Sequence, residues 1–226
     1  MSRATNLSPG PVRIVLATRS AAKARELREL LASPRLELLS LDALGIAEEI
    51  PEGGQTFDEN ATRKALGYAR LTGLPVLADD SGLEVDHLGG APGVRTRRFA
   101  GPSATDDENN AHLLRLLDGL PPGRRAARYR CTLVLAQAVG DRHGGRGGDG
   151  GEPVAAVVTH GTLEGRIALA PKGSGGFGYD PIFEPRGEPP GGRTLAQYSA
   201  AAKNRISHRG RAARAMRREL ERRLRE

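Results

Sequence analysis

The sequence predicts an α/β fold, and three observations carry that prediction. Short β-branched apolar runs alternate with stretches of helical period through the first half of the 226 residues. Ser, Thr and Asp stand where helices need caps, and glycines where helices stop. The length suits one α/β domain, or two small lobes sharing a sheet, with a core that needs no disulfide.

Val12 to Ala17 reads as the first strand. Ser20 caps the helix that follows, where Ala24, Leu27, Leu30 and Leu31 recur at helical spacing. Thr56 to Arg70 is a second helix, with Phe57, Ala61, Ala65 and Ala69 along one face. Pro75 to Ala78 reads as a buried strand that ends in Asp79-Asp80-Ser81-Gly82, and residues 88–93 as a loop. Thr105 to Glu108 is a capping box, and Gly119 stops its helix. Tyr129 to Ala138 and Pro153 to His160 are strands, with Leu163 to Leu169 folding back on the second as a hairpin. Residues 140–151 hold seven glycines and read as a flexible surface insertion in a single domain spanning 11–226. Residues 1–10 are polar, lack the apolar core of a signal peptide, and read as a disordered leader.

The composition excludes some classes of function. One cysteine, Cys131, allows no internal disulfide, which agrees with a reducing, cytoplasmic location. No apolar run approaches a membrane span. The net charge of +7 invites a nucleic-acid reading, yet residues 205–226 alone hold nine arginines against three glutamates. That mixture of signs is a solvated helix face, and a chain without Trp offers little for base stacking. We therefore expect no specific nucleic-acid partner. A binding tail there would give salt-sensitive DNA or RNA binding that vanishes without residues 211–226. An enzyme would keep its chemistry after that truncation, provided residues through Arg209 stay docked.

Four segments carry chemistry. Two adjacent carboxylates in Asp79-Asp80-Ser81-Gly82 point apart from an extended backbone, so one can hold a metal or water while the other braces it. Alone, the run is equally good turn chemistry. Thr18, Arg19, Ser20 and Lys23 lie at a strand-to-helix turn, where hydroxyls, amides and an ammonium suit phosphates; the glycines of a P-loop are absent. Gly173 to Pro181 embeds Phe177 and Tyr179 among glycines, so Phe177 or Tyr179 can stack on a base while Asp180 accepts from it or orders the loop. Lys203, His208 and Arg209 cluster donors near a helix start.

In this order and spacing, the chain resembles the inosine/xanthosine triphosphate pyrophosphatase family. The matching runs are Ala17-Thr18…Lys23…Glu26-Leu27, Gly54 to Ala61, Ala78 to Leu83, Leu88 to Val94, Gly175 to Pro181, and Lys203…Ile206-Ser207-His208-Arg209. They span roughly residues 12–216. The resemblance implies a long mixed central sheet flanked by helices, in two lobes with a substrate cleft between them, usually as a homodimer. It implies hydrolysis of ITP, dITP and XTP to the monophosphate and pyrophosphate, with Mg²⁺ as cofactor. Asp80 matches the catalytic aspartate and metal ligand, with Asp79 in support. Glu52 matches a second metal ligand, with Glu49 close by. Thr18, Arg19, Ser20 and Lys23 match the triphosphate turn, Ser81 a substrate contact, and Phe177, Gly178, Tyr179 and Asp180 the base loop. Lys203, His208 and Arg209 match contacts to base and phosphate. Lys23 and Lys203 would neutralise phosphate charge, and Arg209 with the amides of residues 176–180 would donate to a 6-oxo purine. Ser20 departs from the family turn, which carries Asn there, and Ala22 replaces a Gly. A pyrophosphatase for modified pyrimidine triphosphates is the alternative within this chemistry.

Overall fold

A computed structural model describes residues 10–138 and 151–225. The leader through residue 9 and residues 140–150 of the glycine insertion lie outside the described residues.

Six strands form one mixed sheet: β1 (Val12–Ala17), β2 (Leu36–Ser40), β3 (Val76–Val85), β4 (Ala126–Ala138), β5 (Pro153–Ile167) and β6 (Phe183–Pro185). Their spatial order is β2-β1-β3-β4-β5-β6. β1 pairs in parallel with β2 and β3; β3, β4, β5 and β6 then pair antiparallel in sequence. The helices are α1 (Ala21–Leu30), α2 (Phe57–Thr72), α3 (Asp106–Leu116), α4 (Ala200–Ile206) and α5 (His208–Arg223).

Alternation along the strands sorts the core. Ile14, Leu16, Leu77, Leu133 and Leu135 face α1 and α5, with Leu27, Ala212, Ala213 and Met216. Val15, Ala17, Val76, Ala78, Val134 and Ala136 face α2, with Ala61, Ala65 and Tyr68. A third cluster, around Leu83, Leu113, Tyr129, Ile182 and Phe183, fills the other end of the sheet. The caps at Ser20 and Thr105 form as the sequence predicts, and Thr56, expected inside its helix, caps it instead. Ser20 Oγ accepts from Lys23 N–H (3.4 Å), Thr56 Oγ1 from Glu59 N–H (3.1 Å), and Thr105 and Glu108 close a reciprocal box.

Two expected boundaries are wrong. The strand does not end at Asp79: β3 continues to Val85, with Asp79, Asp80 and Ser81 paired opposite Leu133, Thr132 and Cys131. Buried cations satisfy its carboxylates, so no turn is needed to bring them to water. Nor do residues 153–169 form a hairpin, because β5 is one strand through Gly161. A Cβ at Gly161 would collide with the His208 carbonyl, so this glycine permits close approach of α5 rather than a turn. The sequence reading also missed β2, β6 and the break between α4 and α5, where Ser207 ends one helix and caps the next (Gly210 N–H to Ser207 Oγ, 3.0 Å).

Candidate active site

β1 leads one way to β2, and the chain then crosses back to β3 on the other side of β1. Ligands in α/β sheets bind where the order reverses in this way. Here the turn after β1, the middle of β3, the 177–180 loop and the start of α5 enclose a cleft of about 780 Å³. Thr18, Arg19, Ser20, Lys23, Glu52, Asp80, Ser81, Phe177, Gly178, Tyr179, Asp180, Lys203, His208 and Arg209 all line it, and so does Glu49. Asp79 stands behind them, buried.

The two aspartates do point to opposite faces. Asp79 follows the parity of Leu77 toward α1 and α5, where Lys23 Nζ lies 3.2 Å from Oδ1 and Arg209 Nη2 lies 3.3 Å from Oδ2. Ser81, on the same face, accepts from Arg209 Nη2 at 2.8 Å. Burial raises the Asp79 pKa, but Lys23, Arg209 and Lys64 outweigh it and hold the carboxyl well below the usual range. Asp79 is thus a fixed negative brace, and it raises the pKa of Arg209 in turn against the effect of burial.

Asp80 follows the parity of Ala78 toward α2. Its contact among the described residues is Lys64 Nζ, 3.5 Å from Oδ1. Burial raises its pKa, Lys64 and Lys23 oppose, and the net direction is upward. A carboxylate facing a cleft with a raised pKa is a better proton acceptor than an ordinary one.

Lys64 escaped the sequence reading. It sits on the buried face of α2, among Phe57, Asn60, Ala61, Ala65 and Tyr68. Its Nζ donates to Glu52 Oε1 (2.7 Å) and to the Asp79 carbonyl (2.6 Å). A lysine in phase with an apolar stripe was the available signal, since a buried ammonium needs anionic partners. Glu52, rather than Glu49, is therefore the glutamate joined to Asp80. Burial pushes the Glu52 pKa up, but Lys64 and Lys23 bring it net below the ordinary value. Glu26 was quoted without a role; its two oxygens take Lys203 Nζ (2.9 Å) and Arg209 Nη1 (2.5 Å).

Two internal bonds and one from Asp106 hold the 177–180 loop. Phe177 N–H donates to Asp180 Oδ2 (2.9 Å), Gly178 N–H to Asp106 Oδ2 (2.6 Å), and Asp180 N–H to the Phe177 carbonyl. Three of the five amides expected to read a base are thus already engaged. Asp180 orders this loop and receives Lys203 Nζ at 2.6 Å. Lys203 Nζ also lies 4.3 Å from the Phe177 ring centre, so its ammonium stands by the base loop rather than among the phosphate turn. Tyr179 is buried with its hydroxyl on the Thr96 carbonyl (2.8 Å), which leaves Phe177 as the ring beside the cations. His208 stacks on Tyr129 (4.6 Å, 6° between planes) and its Nδ1 is buried without a hydrogen bond. Burial, with Arg209 and Lys203, drives its pKa well below the ordinary value. Ser20 spends its hydroxyl on the helix cap, and Arg19 binds Asp42 and the carbonyls of Ile46 and Glu48.

Comparison with known proteins identifies the family of the chain. The model of the Ham1 family matches residues 14–219. The chain is 45% identical over 201 residues to the dITP/XTP pyrophosphatase of Methylococcus capsulatus, covering 89% of this chain and 92% of that one. It is 44% identical over 200 residues to the dITP/XTP pyrophosphatase of Geobacter sulfurreducens (88% and 92%). Among solved structures, a HAM1 protein from Coxiella burnetii superposes with a TM-score of 0.77 at 37% identity, over 93% of this chain and 98% of that one. A nucleoside-triphosphatase, dITP/XTP pyrophosphatase, from Mycobacterium abscessus gives 0.69 at 40% identity (91% and 98%). A family match across nine-tenths of the sequence, with relatives at 44–45% identity over most of the chain and superposition on solved Ham1 structures, places this chain in the Ham1 family.

Proposed function

We propose that this enzyme hydrolyses deaminated purine nucleoside triphosphates (ITP, dITP and XTP) to the monophosphate and pyrophosphate, clearing them from the nucleotide pool of the cytoplasm. The observation that carries the reading is Asp80: a cleft-facing carboxylate of raised pKa beside the buried ammonium of Lys64, with Lys23 across the same opening.

The donor set fits a hard divalent cation. Glu52 and Asp80 offer carboxylate oxygens to one cleft, and a cationic nitrogen already lies between them. Among the described residues no group of three His, Cys, Asp or Glu converges, so substrate phosphates would complete the shell. Mg²⁺ held by Glu52 and Asp80 would, when bound, neutralise phosphate charge and make the attacking water more acidic.

The chain's own residues do the rest. Asp80 accepts a proton from water as its oxygen bonds to the α-phosphorus. The bond from the α-phosphorus to the bridging oxygen breaks, and pyrophosphate leaves with that electron pair. Thr18 and Lys23 bind the triphosphate, and Lys23 and Lys64 offset the charge that develops on it, the larger part of phosphoryl-transfer catalysis. Phe177 stacks on the base, while Lys203, His208 and Arg209 present donors to a 6-oxo group. An adenine amine would instead face donors, and a site built on hydrogen bonds rejects such a mismatch strongly. Asp80→Asn keeps the shape and removes the proton acceptor. We expect turnover of ITP to fall by about 10²–10⁴, with an unchanged melting profile. Near wild-type pyrophosphate release by that variant would remove Asp80 from the mechanism.

A homodimer, as the family resemblance implies, is the expected assembly. Light scattering on the eluting enzyme should read twice the 24.0 kDa chain; a mass of one chain would contradict it.

A further inference from the structure

Lys64 holds a position for which the proposed reaction has no obvious need when substrate is absent. Its ammonium is buried and touches three oxygens of the metal-binding face: Glu52 Oε1 at 2.7 Å, the Asp79 carbonyl at 2.6 Å and Asp80 Oδ1 at 3.5 Å. It makes no contact with Glu26 or Asp180, so it stands outside the ion pairs that order the base loop. Two carboxylates at one opening repel, and the Glu52 charge adds to the cost of ionising Asp80 here. A cation between them removes that cost and fixes both side chains.

We infer that Lys64 is the resident counter-ion of the Glu52–Asp80 carboxylate pair, and that it makes divalent-cation binding there depend on the nucleotide. Without nucleotide, an incoming cation meets two carboxylates whose charge Lys64 already partly offsets, and among the described residues no group of three His, Cys, Asp or Glu converges to hold it. A triphosphate changes both terms. Its oxygens complete the cation's shell, and its charge gives the Lys64 ammonium a new anionic partner. Lys64 would then pass from the carboxylates to the phosphates as the cation arrives. The site would load as a cation–nucleotide complex and stay largely empty otherwise. Lys64 is in this sense a positioning residue as well as a source of charge. The lysine side chain suits the task, being a compact charge on a flexible four-carbon stem.

The inference rests on the assignment of Glu52 and Asp80 as cation ligands, and one experiment separates the two. Mn²⁺ binding is read by electron paramagnetic resonance on wild type, Lys64→Met and Lys64→Gln, with and without the non-hydrolysable α,β-imido analogue of ITP. Circular dichroism confirms folding; should Lys64→Met not fold, Lys64→Gln carries the test. Wild type should bind Mn²⁺ at least tenfold more tightly with the analogue. Equal binding with and without the analogue would overturn the nucleotide dependence, whereas Mn²⁺ binding that Glu52→Gln and Asp80→Asn both leave unchanged would contradict the ligand assignment itself. Without nucleotide, the neutral variants should bind Mn²⁺ at least tenfold more tightly than wild type, and Lys64→Arg should stay within threefold. Unchanged or weaker binding by the neutral variants would overturn the counter-ion role while leaving the ligand assignment standing.

Discussion

His208 shows how a single side chain takes its character from its place. The imidazole is buried against Tyr129 with Arg209 and Lys203 nearby, and both the lost water and the positive neighbours disfavour a second proton. The ring should therefore stay neutral in the folded enzyme and offer one donor and one acceptor to a base. Its pKa is depressed on folding, so the unfolded chain takes up the proton first, near the ordinary value of about 6.5. The stability His208 contributes is present above that pH and lost as the pH falls below it. Nitrogen-15 spectra of the ring should show no titration between pH 8 and 5.5; a midpoint near 6.5 would contradict the burial argument. The residue's presence in the site was legible from sequence, since Ser207-His208-Arg209 belongs to an ordered set of motifs. Its neutrality was not, because Tyr129 and Lys203 meet it through the fold. Lys64 was harder still: a lone cation in a helix reads as surface until the helix face is known to be buried.

Among the elements, α5 changes most between sequence and structure. Its arginines read as a solvated helix face, and truncation after Gly210 is expected from sequence to spare chemistry provided residues through Arg209 stay docked. Yet Ala212, Ala213, Met216 and Leu220 of this helix are buried against β1, β4 and α1. Removing residues 211–226 should unfold the enzyme rather than test its charge. Met216→Ala should cost about 2–5 kcal/mol in urea denaturation, as other buried methionines do. Arg217→Gln with Arg218→Gln, on the exposed face, should change stability by no more than about 0.5 kcal/mol and leave activity untouched. A Met216→Ala loss below about 0.5 kcal/mol would show that the helix is not part of the core. Strands misled for a related reason. Gly161 and the Asp79-Asp80 pair carry turn-like composition, but each sits mid-strand because a partner fills the space or supplies the charge: the His208 backbone in one case, Lys64, Lys23 and Arg209 in the other.

At the scale of the molecule, the alternating pattern of the first half was enough for the α/β class, and motif order was enough for the family. The antiparallel half was less legible, because β5 carries a glycine and β6 is three residues long. What the fold adds is the common opening. Segments separated by nearly 200 residues, from Thr18 to Arg209, share one cleft at the switch point of the sheet, and an alternating set of buried and half-buried charges runs along it from Lys23 through Asp79, Arg209, Glu26 and Lys203 to Asp180. Such a set is costly to bury unless each charge is matched, as here each is. Its use in the proposed reaction is to hold phosphate and base contacts in fixed relation. Pyrophosphate release from ITP, measured beside ATP in Mg²⁺ and again in excess chelator, tests the proposed cleavage of deaminated purine triphosphates with a divalent cation. Release is expected from ITP in Mg²⁺, at least a hundredfold more slowly from ATP, and from neither with chelator. Equal rates on ITP and ATP, or full activity in chelator, would contradict it.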